Sequence, residues 1–161
     1  MSAILNTYNR KKISFKRGKG SFLYATNGKK YLDFVQGIAV NCLGHSNDYL
    51  NRAILNQSKK LWHVSNAFTI PEQEKLARKL KQKTFADFIF FQNSGAEATE
   101  AAIKFARRYF YSRGQKRKNR VLCINNSFHG RTLATIFASN SKKATEAFDR
   151  KVVGLDHNSL G

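Results

Sequence analysis

Acidic residues, proline, methionine and tryptophan are all scarce in this chain. Only 10 of its 161 residues are Asp or Glu, against 29 Lys or Arg, and it has one proline, one methionine and one tryptophan. There is no internal repeat, low-complexity segment or proline-rich linker, which excludes a repeat array or a string of linked modules. The 42% of hydrophobic residues is enough for a chain of this length to bury a core and form a domain.

Long hydrophobic runs and cysteine patterns are also missing. No stretch of about 18 apolar residues could span a bilayer, and the start Met1–Asn6 lacks the apolar segment of a secretory signal. We therefore expect a soluble cytoplasmic protein without membrane contacts. Cys42 and Cys123 form no Cys-x-x-Cys pattern, and the histidines share no metal-ligand spacing. We predict reduced thiols, with neither a disulfide framework nor a metal site.

The excess of basic residues gives a formal net charge of +19. Clustered Lys and Arg would indicate nucleic-acid binding, because they neutralise phosphates. The densest groups, Arg10–Lys12 and Arg113–Arg120, are typical of solvated loops, and the other lysines are spread over predicted helices. The pattern favours a compositional bias, and a basic nucleic-acid-binding module is kept as the alternative.

The first part of the chain predicts a hairpin followed by two helices. Two β-prone runs, Ser21–Tyr24 and Lys30–Phe34, flank an Asn-Gly pair, which is a type I′ hairpin signal. A helix is predicted from about Asp48 to Trp62, with Ser46 as its cap. Another is predicted from Pro71 to about Gln82, since proline is favoured at the first helical position.

The second part alternates strand and helix patterns. The apolar runs Asp87–Gln92 and Arg120–Ile124 are typical of strands buried on both faces, with a helix from Ala96 to about Arg113 between them. Lys151–Gly154 is a candidate third strand. This order predicts an α/β fold with a mainly parallel sheet and flanking helices, preceded by the hairpin segment.

The junction between the first predicted strand and its helix is a candidate anion site. The first turn of a helix leaves N–H groups unpaired and carries the positive end of the helix dipole. Gly95 allows close approach of a phosphate. Ser94 and Glu97 also have the spacing of a capping box, which explains both residues without any ligand, and Glu97 would repel a phosphate unless it points away.

A second candidate stretch, Phe128–Thr132, follows the next predicted strand. Ligands in open α/β sheets bind at the carboxyl ends of the strands, so the two stretches would converge if the strands are parallel. Phe128 could stack on a flat ring, or simply pack in the core. Arg131 offers a planar fork for a carboxylate, or is an exposed cation. His129 could have a structural hydrogen-bonding role or a role near a cofactor.

Four ordered motifs resemble class III aminotransferases, and among them the acetylornithine aminotransferase group. They are Gly37-Ile38-Ala39-Val40-Asn41 with Leu43-Gly44-His45, His63 with Ser65-Asn66, Asn93-Ser94-Gly95-Ala96-Glu97-Ala98 with Ala101-Ala102-Ile103-Lys104, and Phe128-His129-Gly130-Arg131-Thr132. The resemblance runs from about Lys19 to the end. Ornithine, 4-aminobutyrate and succinyldiaminopimelate aminotransferases remain as alternatives within the class.

The resemblance implies a fold-type-I enzyme that depends on pyridoxal 5′-phosphate and acts as a homodimer on N-acetylornithine and 2-oxoglutarate, with glutamate as the other product. By the same resemblance Ser94, Gly95 and Ala96 would hold the cofactor phosphate, Phe128 would lie against the pyridine ring, and Arg131 would bind a substrate carboxylate. Residues 1–60 would form part of the small domain and dimer arm, and residues 61–161 the first part of the large cofactor-binding domain.

The catalytic lysine of the family is not found in this chain. In the family that lysine lies beyond the aspartate that contacts the pyridine nitrogen, and no lysine here, including Lys104 and Lys151, lies in the corresponding motif. We therefore assign no catalytic residue. The isolated chain is expected to be an inactive fragment of a longer enzyme.

Overall fold

The computed structural model describes residues 2–148 and 152–159. The chain divides into two compact units, Met1–Pro71 and Glu72–Gly161, each of which is described by itself. Within the described ranges, every helix is too short or too polar to cross a membrane. The sequence analysis assigns residues 1–60 and 61–161 to two different domains of a longer protein. That assignment stays a prediction.

The first unit is built on a three-stranded antiparallel sheet. Its strands are β1 (Phe15–Lys19), β2 (Phe22–Ala25) and β3 (Lys30–Leu32), in that order. The β2–β3 hairpin is confirmed, with Phe22 opposite Leu32. Its turn is not type I′, because only Gly28 of the Asn-Gly pair has a positive φ and type I′ needs both.

Strand β1 was not predicted from the sequence. It is an edge strand rich in Lys, Arg and Gly, a composition that protects sheet edges but hides the strand pattern. Side-chain contacts stabilise this strand although its residue types do not favour β structure. The guanidinium of Arg17 lies 3.6 Å from the ring centroid of Tyr24 on β2. The rings of Phe15 and Tyr31 also meet edge to face at 5.6 Å.

A polar contact fixes the chain that follows the sheet. The buried carboxylate of Asp33 accepts the N–H groups of Val35 and Gln36 at 3.0 and 2.9 Å, and its other oxygen lies 2.6 Å from Nε2 of His45. The single turn α1 (Gln36–Ala39) begins there and has positive φ at all four residues. The N–H donated by Gln36, followed by that from His45, lowers the pKa of Asp33.

The two helices predicted in the first half are present. Helix α2 (Asp48–Ser58) is shorter than predicted, and its cap is Asn47, whose side chain accepts the N–H groups of the first turn. The expected cap, Ser46, is wrong: its φ of 51° places it outside the capping conformation, and its hydroxyl donates to the carbonyl of Gly18 at 2.8 Å. Helix α3 (Pro71–Lys83) agrees with the prediction.

The second unit contains a parallel strand pair with helices. Helix α4 (Gly95–Ser112) leads to β4 (Val121–Ile124), followed by α5 (Leu133–Ser139), α6 (Lys142–Thr145) and β5 (Leu155–Asn158). Strands β4 and β5 are parallel, with Val121 opposite Leu155. The predicted α/β class with a parallel sheet, and the individual predictions for α4 and β4, are confirmed.

Two strand predictions in this unit are wrong. The run Asp87–Gln92 has the apolar pattern of a strand but pairs with no other described segment, and Phe88 is 92% exposed. The candidate third strand is displaced: the chain turns at Val153 and Gly154, and β5 begins at Leu155. Lys151 lies outside the described residues. Apolar residues alone do not form a strand, whereas the polar β5 pairs because β4 offers it an edge.

Helix α5 forms the core of the second unit. Its residues Thr135–Ser139 are all buried, and Ile103 of α4 and Cys123 of β4 are buried as well. Burial raises the pKa of the Cys123 thiol, so this cysteine acts as a small apolar residue. Both Cys42 and Cys123 are free.

Candidate cofactor and substrate site

Helix α4 starts with a side-chain cap at Ser94. The residue has extended backbone (φ −148°, ψ 161°), and its hydroxyl oxygen accepts the N–H of Glu97 at 3.2 Å. The hydroxyl also donates to the Glu97 carboxylate at 3.0 Å, and the amide of Asn93 lies 3.4 Å from the other carboxylate oxygen. The capping box expected from the sequence is therefore formed in a modified way. The Glu97 carboxylate accepts from the side chains of Ser94 and Asn93, whereas in the standard box it accepts the backbone N–H of the cap residue.

Gly95 and Ala96 have the unpaired backbone N–H groups of this turn. Their N–H groups lie at the first two helical positions, where no intrahelical acceptor exists. Gly95 is exposed, and a side chain there would have no atom within 4 Å. The proton of Ser94 is already given to Glu97, so a phosphate would be held by Gly95 and Ala96. Ser94 could donate to it only after leaving the carboxylate.

The loop after β4 is tied to the strand that it leaves. The hydroxyl of Ser127 lies 2.6 Å from the carbonyl of Ile124 and 2.8 Å from Nε2 of His129. The backbone N–H of His129 donates to the Ser139 hydroxyl at 3.0 Å. The loop is thus fastened to β4 on one side and to α5 on the other.

The two predicted stretches meet at Gly130. A Cβ on this residue would lie 2.7 Å from Cβ of Ala96, 2.8 Å from Oγ1 of Thr135 and 3.0 Å from Cα of Ala96. Its φ of +132° also suits glycine alone. The start of α4 and the loop after β4 are therefore in van der Waals contact. The reason given from the sequence, two neighbouring parallel strands, fails because residues 87–92 form no strand.

A second connection lies one turn further along α4. The hydroxyl of Thr132 lies 2.5 Å from the carboxylate of Glu100 and 3.0 Å from the hydroxyl of Thr135. Sequence reasoning missed this contact. The only available signal was the position of Thr132 as a cap residue before α5, which says nothing about its partner on α4.

Phe128 and Arg131 both face solvent. The ring of Phe128 is 72% exposed, which argues against ordinary core packing. The guanidinium carbon of Arg131 lies 5.2 Å from the centroid of that ring, within the range of a cation–π contact. The exposed ring and the planar cation are thus neighbours on the surface.

An apolar cavity of about 360 Å³ lies beside this site. It is lined by residues of α4, β4 and the following loop, among them Ala102, Ile103, Leu122 and His129. None of the five predicted site residues lines it. The predicted site is therefore an open surface and not this cavity.

An ion pair of this unit connects the residue before β4 to β5. Arg120, just before β4, binds the carboxylate of Asp156 in β5 with two nitrogens. The hydrogen bond from Arg120 lowers the pKa of Asp156, and the same bond raises the pKa of Arg120. Neither Arg120 nor Asp156 is one of the five predicted site residues. Among the described residues, no cluster of His, Cys, Asp or Glu could hold a metal ion.

The basic segment after α4 makes contacts of its own. Arg113 lies over the ring of Tyr109 at 4.6 Å, and Lys118 over that of Phe110 at 5.1 Å. Such contacts stabilise exposed aromatic rings without any nucleic acid. They do not test the alternative of a nucleic-acid-binding module.

Curated relatives match almost the whole chain. The acetylornithine aminotransferase of Agrobacterium fabrum is 50% identical over 158 residues, covering 98% of this chain and 40% of that protein. The acetylornithine aminotransferase of Brucella melitensis is also 50% identical over 158 residues, covering 98% of this chain and 39% of that protein. The chain thus spans about 40% of the length of the curated relatives it matches.

Solved structures show the same fold. The ornithine aminotransferase of Toxoplasma gondii superposes with a TM-score of 0.91 at 24% identity, covering 98% of this chain and 38% of that chain. The omega transaminase of Pseudomonas jessenii in complex with PMP gives a TM-score of 0.85 at 26% identity, covering 92% of this chain and 34% of that chain. The family described as aminotransferase class-III matches residues 5–158. Because the family match, the curated relatives and the fold agree, this chain belongs to the class III aminotransferases, which depend on pyridoxal 5′-phosphate.

Proposed function

We propose that this chain supplies the phosphate-binding turn and the carboxylate-binding arginine of an acetylornithine aminotransferase. The reaction moves the terminal amine of N-acetylornithine to 2-oxoglutarate, giving glutamate, in arginine biosynthesis. The observation that carries the proposal is the contact of Gly130 with Ala96, because it joins the two predicted site stretches. The names of the curated relatives support the substrate.

The residues of this site fit a phosphorylated aromatic cofactor once the Glu97 carboxylate, which accepts from Ser94 at 3.0 Å, turns away from the phosphate. The open N–H groups of Gly95 and Ala96 point to a phosphate, and the exposed ring of Phe128 offers a flat apolar face. When bound, pyridoxal phosphate supplies an electron-withdrawing ring that stabilises charge on the reacting carbon. Arg131 would orient the substrate through a two-pronged contact with its carboxylate. The chain's own contribution is thus binding and orientation.

Proton transfer at the reacting carbon needs a group from outside this chain. No lysine lies in the motif of the family's catalytic lysine, and a Schiff base needs an amine that is held against the cofactor aldehyde. We propose that the 161-residue chain alone does not transaminate. Reduction with borohydride in the presence of pyridoxal phosphate should label many lysines weakly, and one dominant labelled lysine with turnover would refute this.

A chimeric enzyme tests the proposed reaction. In it, this chain replaces the matching 158 residues of the Agrobacterium fabrum enzyme, so that the rest of the catalytic machinery comes from the relative. We expect it to prefer N-acetylornithine when assayed beside ornithine, 4-aminobutyrate and succinyldiaminopimelate, each with 2-oxoglutarate. Preference for one of the other donors would move the assignment to that class III aminotransferase.

Arg131→Lys in the chimera tests the carboxylate site. A point ammonium cannot reproduce a two-pronged guanidinium contact, so kcat/KM should fall by the equivalent of about 1.5–3 kcal/mol while cofactor affinity is retained. Lys104→Arg is the matched control, because this exposed side chain of α4 has no predicted site role. Unchanged kinetics for both donor and acceptor would remove Arg131 from the site.

The remaining proposals concern assembly and partners. We propose a cytoplasmic homodimer in which residues 1–60 belong to the small domain and dimer arm, and residues 61–161 to the large domain. Light scattering on the chimera should give twice the subunit mass. Titration of this chain with RNA or DNA at several salt concentrations should give weak, sequence-independent binding, whereas tight specific binding would favour the nucleic-acid-binding alternative.

A further inference from the structure

Phe128 is held outward by its two neighbours in the sequence. Ser127 and His129 are both turned into the protein and hydrogen-bonded to each other at 2.8 Å, whereas the ring between them is 72% exposed. An exposed phenyl ring forgoes the free energy of burial. Other rings of the described residues are at least as exposed, among them Phe34 and Phe88. What distinguishes Phe128 is that both of its neighbours in the sequence are hydrogen-bonded.

The Ser127 hydroxyl determines whether Ser127 or Nε2 of His129 donates the proton in the hydrogen bond between them. It lies 2.6 Å from the carbonyl oxygen of Ile124, which can only accept, so the single hydroxyl proton is donated there. The serine oxygen must then accept from Nε2 of His129. The network thus assigns the Nε2–H form to a neutral imidazole.

The backbone of the same histidine is anchored separately. Its N–H donates to the hydroxyl of Ser139 at 3.0 Å, and that hydroxyl donates to the carbonyl of Thr135 at 2.8 Å. Ser139 is 4% exposed and Thr135 is fully buried. The anchor is thus part of the core of the second unit.

We infer that Ser127 and His129 are a pair of positioning residues that hold the Phe128 ring toward the cofactor. The pair ties the residues on both sides of Phe128 to β4 and α5, so the ring projects from a fixed piece of backbone. This inference rests on the proposed function, since it gives the ring a cofactor to meet. It adds two residues that act through Phe128 and touch no substrate.

The test uses the chimeric enzyme and compares two substitutions of His129. In His129→Gln the amide nitrogen lies where Nε2 lies in histidine and can still donate to Ser127. In His129→Asn the amide is too short to reach it. We expect the Gln variant to bind pyridoxal phosphate within about twofold of the parent, and both His129→Asn and Ser127→Ala to bind about five- to tenfold more weakly, the loss of one hydrogen bond.

A double-mutant cycle separates positioning from general stability. If the pair acts through Phe128, Ser127→Ala should weaken cofactor binding in the parent but have no further effect in a Phe128→Ala background. The cofactor absorption band should shift in Ser127→Ala and keep its parental position in His129→Gln. Equal weakening in both backgrounds would overturn the inference and leave Ser127 with a structural role only.

Failure of the inference and failure of the proposed function give different results. A parent chimera that binds no pyridoxal phosphate overturns both. A parent that binds normally, with equal binding by all variants, overturns the inference alone. If Ser127→Ala yields no soluble protein, the comparison of His129→Gln with His129→Asn decides, since both keep the backbone anchor to Ser139.

Discussion

The two units of this chain are stabilised by different means. Among the residues the structure describes, the first unit buries Ala25 and Asp33, whereas the second buries five consecutive residues of α5 together with Ile103 and Cys123. The first unit depends on backbone pairing, ring contacts and a polar cluster. The second is packed around a helix. The predicted site residues all lie in the second unit, where a packed core can fix their positions.

Removing the ring of Phe137 should have the largest effect. The side chain is 9% exposed within α5, and Phe→Ala substitutions in cores cost about 3–5 kcal/mol. We expect Phe137→Ala to abolish hydrogen-exchange protection of β4 while leaving the β2–β3 hairpin protected. Phe128→Ala is the matched control, since that ring is exposed. Equal loss of protection in both variants would contradict the contrast between the units.

Adding a methyl group at Gly130 should have the next largest effect. The new Cβ would lie 2.7 Å from that of Ala96, and overpacking costs about 1–3 kcal/mol. Gly95→Ala is the matched control, because its Cβ would meet no atom within 4 Å. Equilibrium unfolding in urea measures the free energy of unfolding of both variants.

Ala96→Gly shows whether the cost at Gly130 comes from the contact between the two stretches. Combined with Gly130→Ala, it should recover part of the lost stability, since it removes the closest atom but leaves Oγ1 of Thr135 at 2.8 Å and the positive φ. Strict additivity of the two substitutions would mean that the stretches do not touch in solution.

The first unit should respond to acid through the buried carboxylate of Asp33. The N–H of Gln36, and then His45, lower the pKa of Asp33. A carboxyl with a lowered folded pKa stabilises the fold above its unfolded pKa of about 3.9, and this contribution is lost as the pH falls through the folded value. Amide NMR signals of Val35 and Gln36 should therefore shift only in strongly acidic solution.

Asp33→Asn is the control for this titration. Its side-chain oxygen can still accept the two N–H groups but does not titrate, so the shifts should disappear while the turn persists at neutral pH. Asp33→Ala should release the turn at every pH. A titration retained in Asp33→Asn would assign the acid response to another group.

The ion pair of Arg120 with Asp156 should have the smallest effect. Its side chains are 63% and 39% exposed, and exposed pairs are screened by water and salt. Arg120 lowers the pKa of Asp156, so any stabilisation is present at neutral pH and lost in acid. Asp156→Asn should differ measurably from the parent only at low ionic strength. The exposed Asp87→Asn is the control, and an equal effect there would indicate net charge as the cause.

Local signals in the sequence predicted local structure well. The Asn27-Gly28 pair marked the hairpin, Pro71 marked the start of α3, and Ser94 with Glu97 marked the start of α4. Each signal acts within a few residues, through turn geometry or a helix cap. The family resemblance is confirmed by the comparisons, and the roles of the five site residues stay predictions.

What the sequence could not predict depends on partners distant in the chain. Residues 88–91 and 121–124 have similar apolar patterns, but within the described ranges only the second run has a strand beside it. The cap at Asn47 was missed because Ser46 is an equally good cap until tertiary contacts set its backbone. The approach of Gly130 to Ala96 likewise follows from packing of α4 against α5, and neither residue type signals it.

The turn Gln36–Ala39 has a consequence in terms of chirality. Its four residues have φ between 50° and 64°, the region that D-amino acids prefer and that costs L-residues about 1–2 kcal/mol each. The chain assembled by chemical ligation with D-alanine at position 39 should therefore melt at a higher temperature than the all-L protein. D-alanine at position 53, inside the right-handed helix α2, should lower the melting temperature. Replacement by the mirror-image residue thus distinguishes the handedness of two segments of one chain, and destabilisation at both positions would show that the turn is not left-handed in solution.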